Sequence, residues 1–209
     1  MTDLSLLLAF VAAATILTIT PGVDTAMVLR SVASSGRRTA SLAALGIALG
    51  CLVWGAAVAV GLGALLRASE VAYTVLKWAG AGYLLWQGGK LLLQPRQTLP
   101  VAEGAPDVAA GSEAFRRGLL TNLLNPKVGV FYITFLPQFV PAAANVAWYT
   151  FFLASLHVVL TLLWFALLIA ATAPLGKVLR QPAAVRVLDR LTGIVFVAFG
   201  IKLAASSSR

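Results

Sequence analysis

Two full charges of opposite sign sit inside apolar stretches of this chain, each beside a proline. Asp24 closes the run Ile19-Thr20-Pro21-Gly22-Val23-Asp24, and Lys127 closes Asn122-Leu123-Leu124-Asn125-Pro126-Lys127. A carboxylate there meets a substrate ammonium, takes a proton, or caps a half-helix that restarts after Pro21-Gly22. Asp24 stands six residues before Arg30, so roughly 9 Å from the end of its helix at 1.5 Å per residue. Lys127 lies ten residues beyond Arg117, too deep to snorkel, so it must face inward and have a partner. Asp24 is the simplest candidate. The pair is then either a structural ion pair or a site in which Lys127, or free amides after the Pro21-Gly22 turn, takes a substrate carboxylate.

Smaller polar side chains cluster with these charges. Asn122 and Asn125 stand three apart, which on a helix puts them on one face. Each can glue helices or line a path, and Asn125 before a proline can also cap. Thr18 and Thr20 carry less weight, because threonine often bonds its own helix backbone. His157 is the only histidine. It is a packed core residue or a proton relay, and with no partner visible, packing is the preferred reading. Substrate binding or coupling is therefore expected at Asp24, Lys127, Asn122, Asn125 and Thr20, with Pro21, Gly22 and Pro126 as the helix-breaking residues.

The elements that must hold these groups are membrane helices. The 209 residues are 60% hydrophobic and 11% charged, where a soluble domain carries about 25% charge. The charges gather between apolar runs of about twenty residues, the length that crosses a bilayer. Six spans are expected, at about 4–28, 39–66, 71–93, 115–140, 145–172 and 185–204. They form one transporter-type domain over 1–209: a first three-helix half at 1–93, a flexible linker at 94–112, a second half at 113–205 and a disordered tail at 206–209. The fold class expected is all-α and polytopic.

Proline breaks the hydrogen-bond ladder, and in lipid the freed carbonyls survive only inside protein or beside a water-filled cavity. Pro21 and Pro126 take equivalent places in the first helix of each half. Gly88-Gly89-Lys90-Leu91 and Gly200-Ile201-Lys202-Leu203 recur in the last. Three spans per half is odd, so the second half enters upside down: two inverted repeats, with broken first helices, around a transport site. Eleven Lys and Arg fall after the first, third and fifth spans, against Arg67, Lys202 and Arg209, with Lys77 in or near the third span. Positive charge stays inside, which puts the linker in the cytoplasm and both termini outside.

Several functions are excluded. The net charge of +9 lies in loops with no basic stripe, so no nucleic-acid partner is expected. One cysteine, Cys51, and one histidine leave no metal cluster and no internal disulfide. No phosphate-cradling loop ends at Lys90, and no hydrolase motif occurs, so no enzyme and no cofactor is expected. Transport must use an ion gradient or run downhill. Composition admits a homo-oligomer and sets no number. An exporter of another small solute or cation, or a membrane scaffold with structural ion pairing, are the alternatives.

The stretch Gly118-Leu-Leu-Thr-Asn-Leu-Leu-Asn-Pro-Lys-Val-Gly-Val-Phe-Tyr-Ile-Thr-Phe-Leu-Pro-Gln-Phe-Val140 resembles the fourth-helix signature of the lysine exporter (LysE) type family, which includes the homoserine/threonine resistance (RhtB) exporters. Thr20-Pro21-Gly22-Val23-Asp24 resembles the family's Thr-Pro-Gly-Pro-Asp/Asn motif, with Val23 where a second proline is usual, which softens the first break. Arg37 to Gly50 and Gly80 to Leu91 resemble its second and third helices. The resemblance implies an amino-acid efflux transporter of the bacterial inner membrane that works by exchange with protons. It does not name the amino acid.

Overall fold

The computed structural model describes residues 4–68, 70–97, 111–171, 178 and 181–205. Most of the expected linker, the tail 206–209, and Lys177 and Arg180 lie outside them. The described residues are helical, with no strand. Helix α1 spans Leu4–Ile19, α2 Val23–Ala68, α3 Glu70–Leu93 and α4 Gly111–Leu123. A short α5, Pro126–Val130, runs on through a wide π turn, Phe131–Phe135, and a tight 3₁₀ turn, Leu136–Phe139. Helices α6, Val146–Ala170, and α7, Pro182–Ala205, complete the chain's described elements.

Both breaks fall at the prolines. Ile19 ends α1, and α2 restarts at Val23. Leu123 ends α4, and Pro126 opens α5 with a bend of 53°. Pro137 shapes the turns on either side of it, since its missing N–H cannot close an ordinary turn. The chain widens before it, with Leu136 N–H reaching back to Phe131 O, and tightens after it. Two boundaries differ from expectation. Instead of a loop at 29–38, α2 runs on through that segment and is interrupted only at Gly36 (φ 83°, ψ 175°). Glycine alone tolerates that φ without strain. Asn122 and Asn125 do not share a helix face, because α4 has ended before Asn125.

By length and composition, α2 over Val23–Gly61 and α6 can each cross a membrane, and the bent pair Gly111–Leu123 with Pro126–Phe139 counts as a third if it is taken as one broken span. Helix α1 is apolar but shorter. Packing follows small residues. Helix α2 crosses α4 so closely that a Cβ on Gly46 would lie 2.0 Å from Phe115 O, and one on Gly118 2.1 Å from Ala43 O. Helix α2 also packs on α6, and α3 on α7. The central core is aromatic. Phe131, Tyr132, Phe135 and Phe139 are fully buried, with Phe10 5.3 Å from Phe139 and Phe199 4.4 Å from Phe135, centroid to centroid. Trp78, Trp86 and Trp148 point outward.

Candidate functional site

The two breaks meet. In an unbroken helix the carbonyls of Leu17 and Thr20 would accept from residues 21 and 24. Pro21 has no N–H, and the turn at 20–22 carries residue 24 away. Lys127 Nζ donates to both carbonyls, at 3.1 Å each. The neighbouring Pro21 carbonyl accepts from Arg96 Nη2 at 2.9 Å. Two cations therefore close the C-terminal end of α1, where the helix dipole also favours positive charge. The side chain of Lys127 lies over Gly22, its Nζ 3.8 Å from where a Cβ would stand. An ammonium has three donors, and two are used.

Of the two readings of Asp24 and Lys127, the structural ion pair does not form. The ion pairs seen include Arg96–Asp189 and the Glu113–Arg117 pair one turn apart on α4. Lys127 reached backbone carbonyls instead, since those are the groups the broken ladder strands nearest to it. Asp24 Oδ2 accepts from Asn122 Nδ2 at 2.8 Å, while its buried Oδ1 has no partner. Asn122 is fully buried, also reaches Cys51 Sγ at 3.4 Å, and leaves its own Oδ1 unpaired. Asn125 is a helix cap: its Oδ1 accepts from Lys127 N–H at 3.1 Å. Thr18 and Thr20 return their hydroxyls to Ala14 O and Ile16 O, and Thr20 Oγ1 also meets Thr192 Oγ1 at 2.5 Å.

Asp24, Lys127, Asn125, Thr20 and Gly22 line one cavity of about 50 Å³, room for about three or four water positions. Phe131, and His157, Thr161 and Phe165 of α6, also line it. Asn122 stands behind Asp24 rather than in the wall, and Pro21 and Pro126 shape the breaks without facing it. His157 has a partner after all, Tyr132, whose hydroxyl lies 2.9 Å from His157 Nδ1.

The chain belongs to the LysE type translocator family. That family's model matches residues 15–207. The chain is 30% identical over 207 residues to the uncharacterized membrane protein YrhP of Bacillus subtilis (strain 168), covering 96% of this chain and 99% of the relative. It is 30% identical over 205 residues to the leucine efflux protein of Klebsiella pneumoniae, covering 96% and 95%. It is also 30% identical over 191 residues to the threonine efflux protein of Salmonella typhimurium, covering 89% and 91%. No solved structure matches. Family membership and the apolar helices together make this translocator a multi-pass membrane protein.

Sequence reasoning missed two members of the arrangement. Asp189 is fully buried in α7 and takes three hydrogen bonds from Arg96: Nη2 to Oδ1 at 2.5 Å, and Nε and the backbone N–H to Oδ2 at 2.9 Å each. Arg96 counted only as a loop charge, and Asp189 was hidden between Arg186 and Arg190. A signal was present. Val185, Asp189, Thr192, Gly193, Phe196 and Gly200 fall at helical spacing on one buried face of α7, and an aspartate on such a stripe needs a partner.

Proposed function

We propose that this translocator is a secondary exporter of a small amino acid, proton-coupled, with its site at the Pro21 and Pro126 breaks. The carrying observation is that Asp24 and Lys127, of opposite charge and not paired with each other, line the same cavity with bonding capacity left over. A zwitterion needs that disposition: its ammonium goes to the unpaired Asp24 Oδ1, and its carboxylate to the third donor of Lys127 and the N-terminus of the half-helix opened by Gly22. When no substrate is present, the same Oδ1 is where a coupling proton sits. The named relatives, efflux proteins for leucine and threonine, support an amino-acid substrate.

The architecture that fits this reading is six spans in two inverted three-helix repeats, in the bacterial inner membrane with both termini outside, working by alternating access. Each half carries a proline break at the cavity. The contacts of Gly88 and Gly200 support this architecture. A Cβ on Gly88 would lie 2.8 Å from Val197 of α7, and one on Gly200 2.9 Å from Leu85 of α3, as a two-fold axis between those helices requires.

Everted vesicles with an imposed pH gradient test the proposal. Asp24→Asn should abolish proton-driven accumulation of amino acid, and accumulation at the full rate refutes it. Thermal stabilisation of the purified protein by free amino acids separates a site from a scaffold: a site is stabilised by its ligand and a scaffold is not.

A further inference from the structure

The cavity is lined by two chemically different sets of groups. At the breaks stand the charged groups that suit an α-amino acid's common atoms. From α6, His157, Thr161 and Phe165 succeed one another every four residues, so they share a face, and all three line the cavity. We infer that this face of α6 reads the side chain of the exported amino acid, and that Thr161 and His157 select a short hydroxylated side chain over an aliphatic one of equal size. This rests on the site proposed above.

The hydrogen bonding of the wall carries the inference. Thr18 and Thr20 have committed their hydroxyls to backbone carbonyls. Thr161 is buried, lines the cavity and, among the described residues, has no hydrogen-bond partner. Mid-helix threonine commonly bonds the carbonyl four residues back; here that bond is not made, and the hydroxyl is left for an occupant. His157 uses Nδ1 on Tyr132, which leaves Nε2 as its one uncommitted polar atom. Nε2 donates or accepts depending on the tautomer. A substrate hydroxyl does both, so it pairs with His157 in either tautomer and with Thr161 as well. A methyl group in the same place leaves two buried polar groups unpaired. Phe165 follows Thr161 in the row.

Threonine and valine have the same shape and differ by hydroxyl against methyl, so they are the probes. In everted vesicles the wild type should show kcat/KM for threonine about tenfold above valine, one net hydrogen bond's worth. Thr161→Val should erase or invert that ratio, and Thr161→Ser should restore it. An unchanged ratio in Thr161→Val, or a wild type that handles both alike, overturns the inference while the proposed function stands. A wild type that moves neither threonine, valine nor any other amino acid overturns both. If Thr161→Val fails to insert, thermal stabilisation of the purified wild type decides: threonine should stabilise it more than valine at equal concentration, and equal stabilisation refutes the assignment.

Discussion

Arg96→Ala should destabilise the protein more than any other single truncation of a charged residue. Asp189 is fully buried, and all three of its hydrogen bonds come from Arg96. The truncation removes both guanidinium bonds and leaves one backbone N–H to hold a carboxylate inside the bundle. Breaking a buried pair from one side costs about 3–5 kcal/mol, chiefly because the surviving charge is uncompensated. The partial exposure of Arg96, 35% of its side chain, allows some water to reach the pair, so the lower end of that range is expected. The Pro21 carbonyl also loses its donor, which adds about 1 kcal/mol. The sum, about 4 kcal/mol, corresponds to a melting shift on the order of 10 °C for a chain of this size. Thermal unfolding monitored by size-exclusion fluorescence in detergent measures it. The double variant Arg96→Met with Asp189→Leu should recover most of the loss, because apolar replacement of both partners removes the buried charge altogether. A double variant as damaged as the sum of the two singles would show that the pair does not act as a unit, and would refute the cost assigned to the stranded carboxylate.

The same contacts set other outcomes. Lys127→Met should lower stability by about 1–3 kcal/mol, since the Leu17 and Thr20 carbonyls lose their shared donor, and should abolish transport; stability equal to wild type in the same melting assay would contradict the capping role. Gly118→Val should prevent α2 and α4 from meeting, because even a Cβ would overlap Ala43 O; loss of monodisperse protein on size exclusion checks this. Tyr132→Phe should cost about 1 kcal/mol by leaving His157 Nδ1 unpaired, read as a small melting shift with the bundle intact.

Much of the candidate site's geometry was legible because it is written in local chemistry. A proline within an apolar run must break a helix wherever it stands, and Pro21 and Pro126 both do. Asparagine before proline is a cap by its own reach, and Asn125 caps. Charges in apolar runs must turn inward, and Asp24 and Lys127 do, into the same cavity. Pairing was not legible. The contact between Asn122 and Asp24 joins residues 98 apart in sequence, and that between Lys127 and Leu17 joins residues 110 apart. Which donor meets which acceptor across such separations depends on the angle at which each half-helix leaves its break.

From residue order alone came the membrane class, the helices, the two breaks and the residues too polar to face lipid. Period and proline chemistry act within one or two turns, and need no knowledge of neighbours. Only the folded bundle decided that Lys127 caps the backbone instead of meeting Asp24, that Arg96 locks onto Asp189, and that Tyr132 serves His157. A stranded carbonyl competes with a carboxylate for the same ammonium, and the nearer one wins; nearness is a property of how helices pack, and no stretch of sequence contains it.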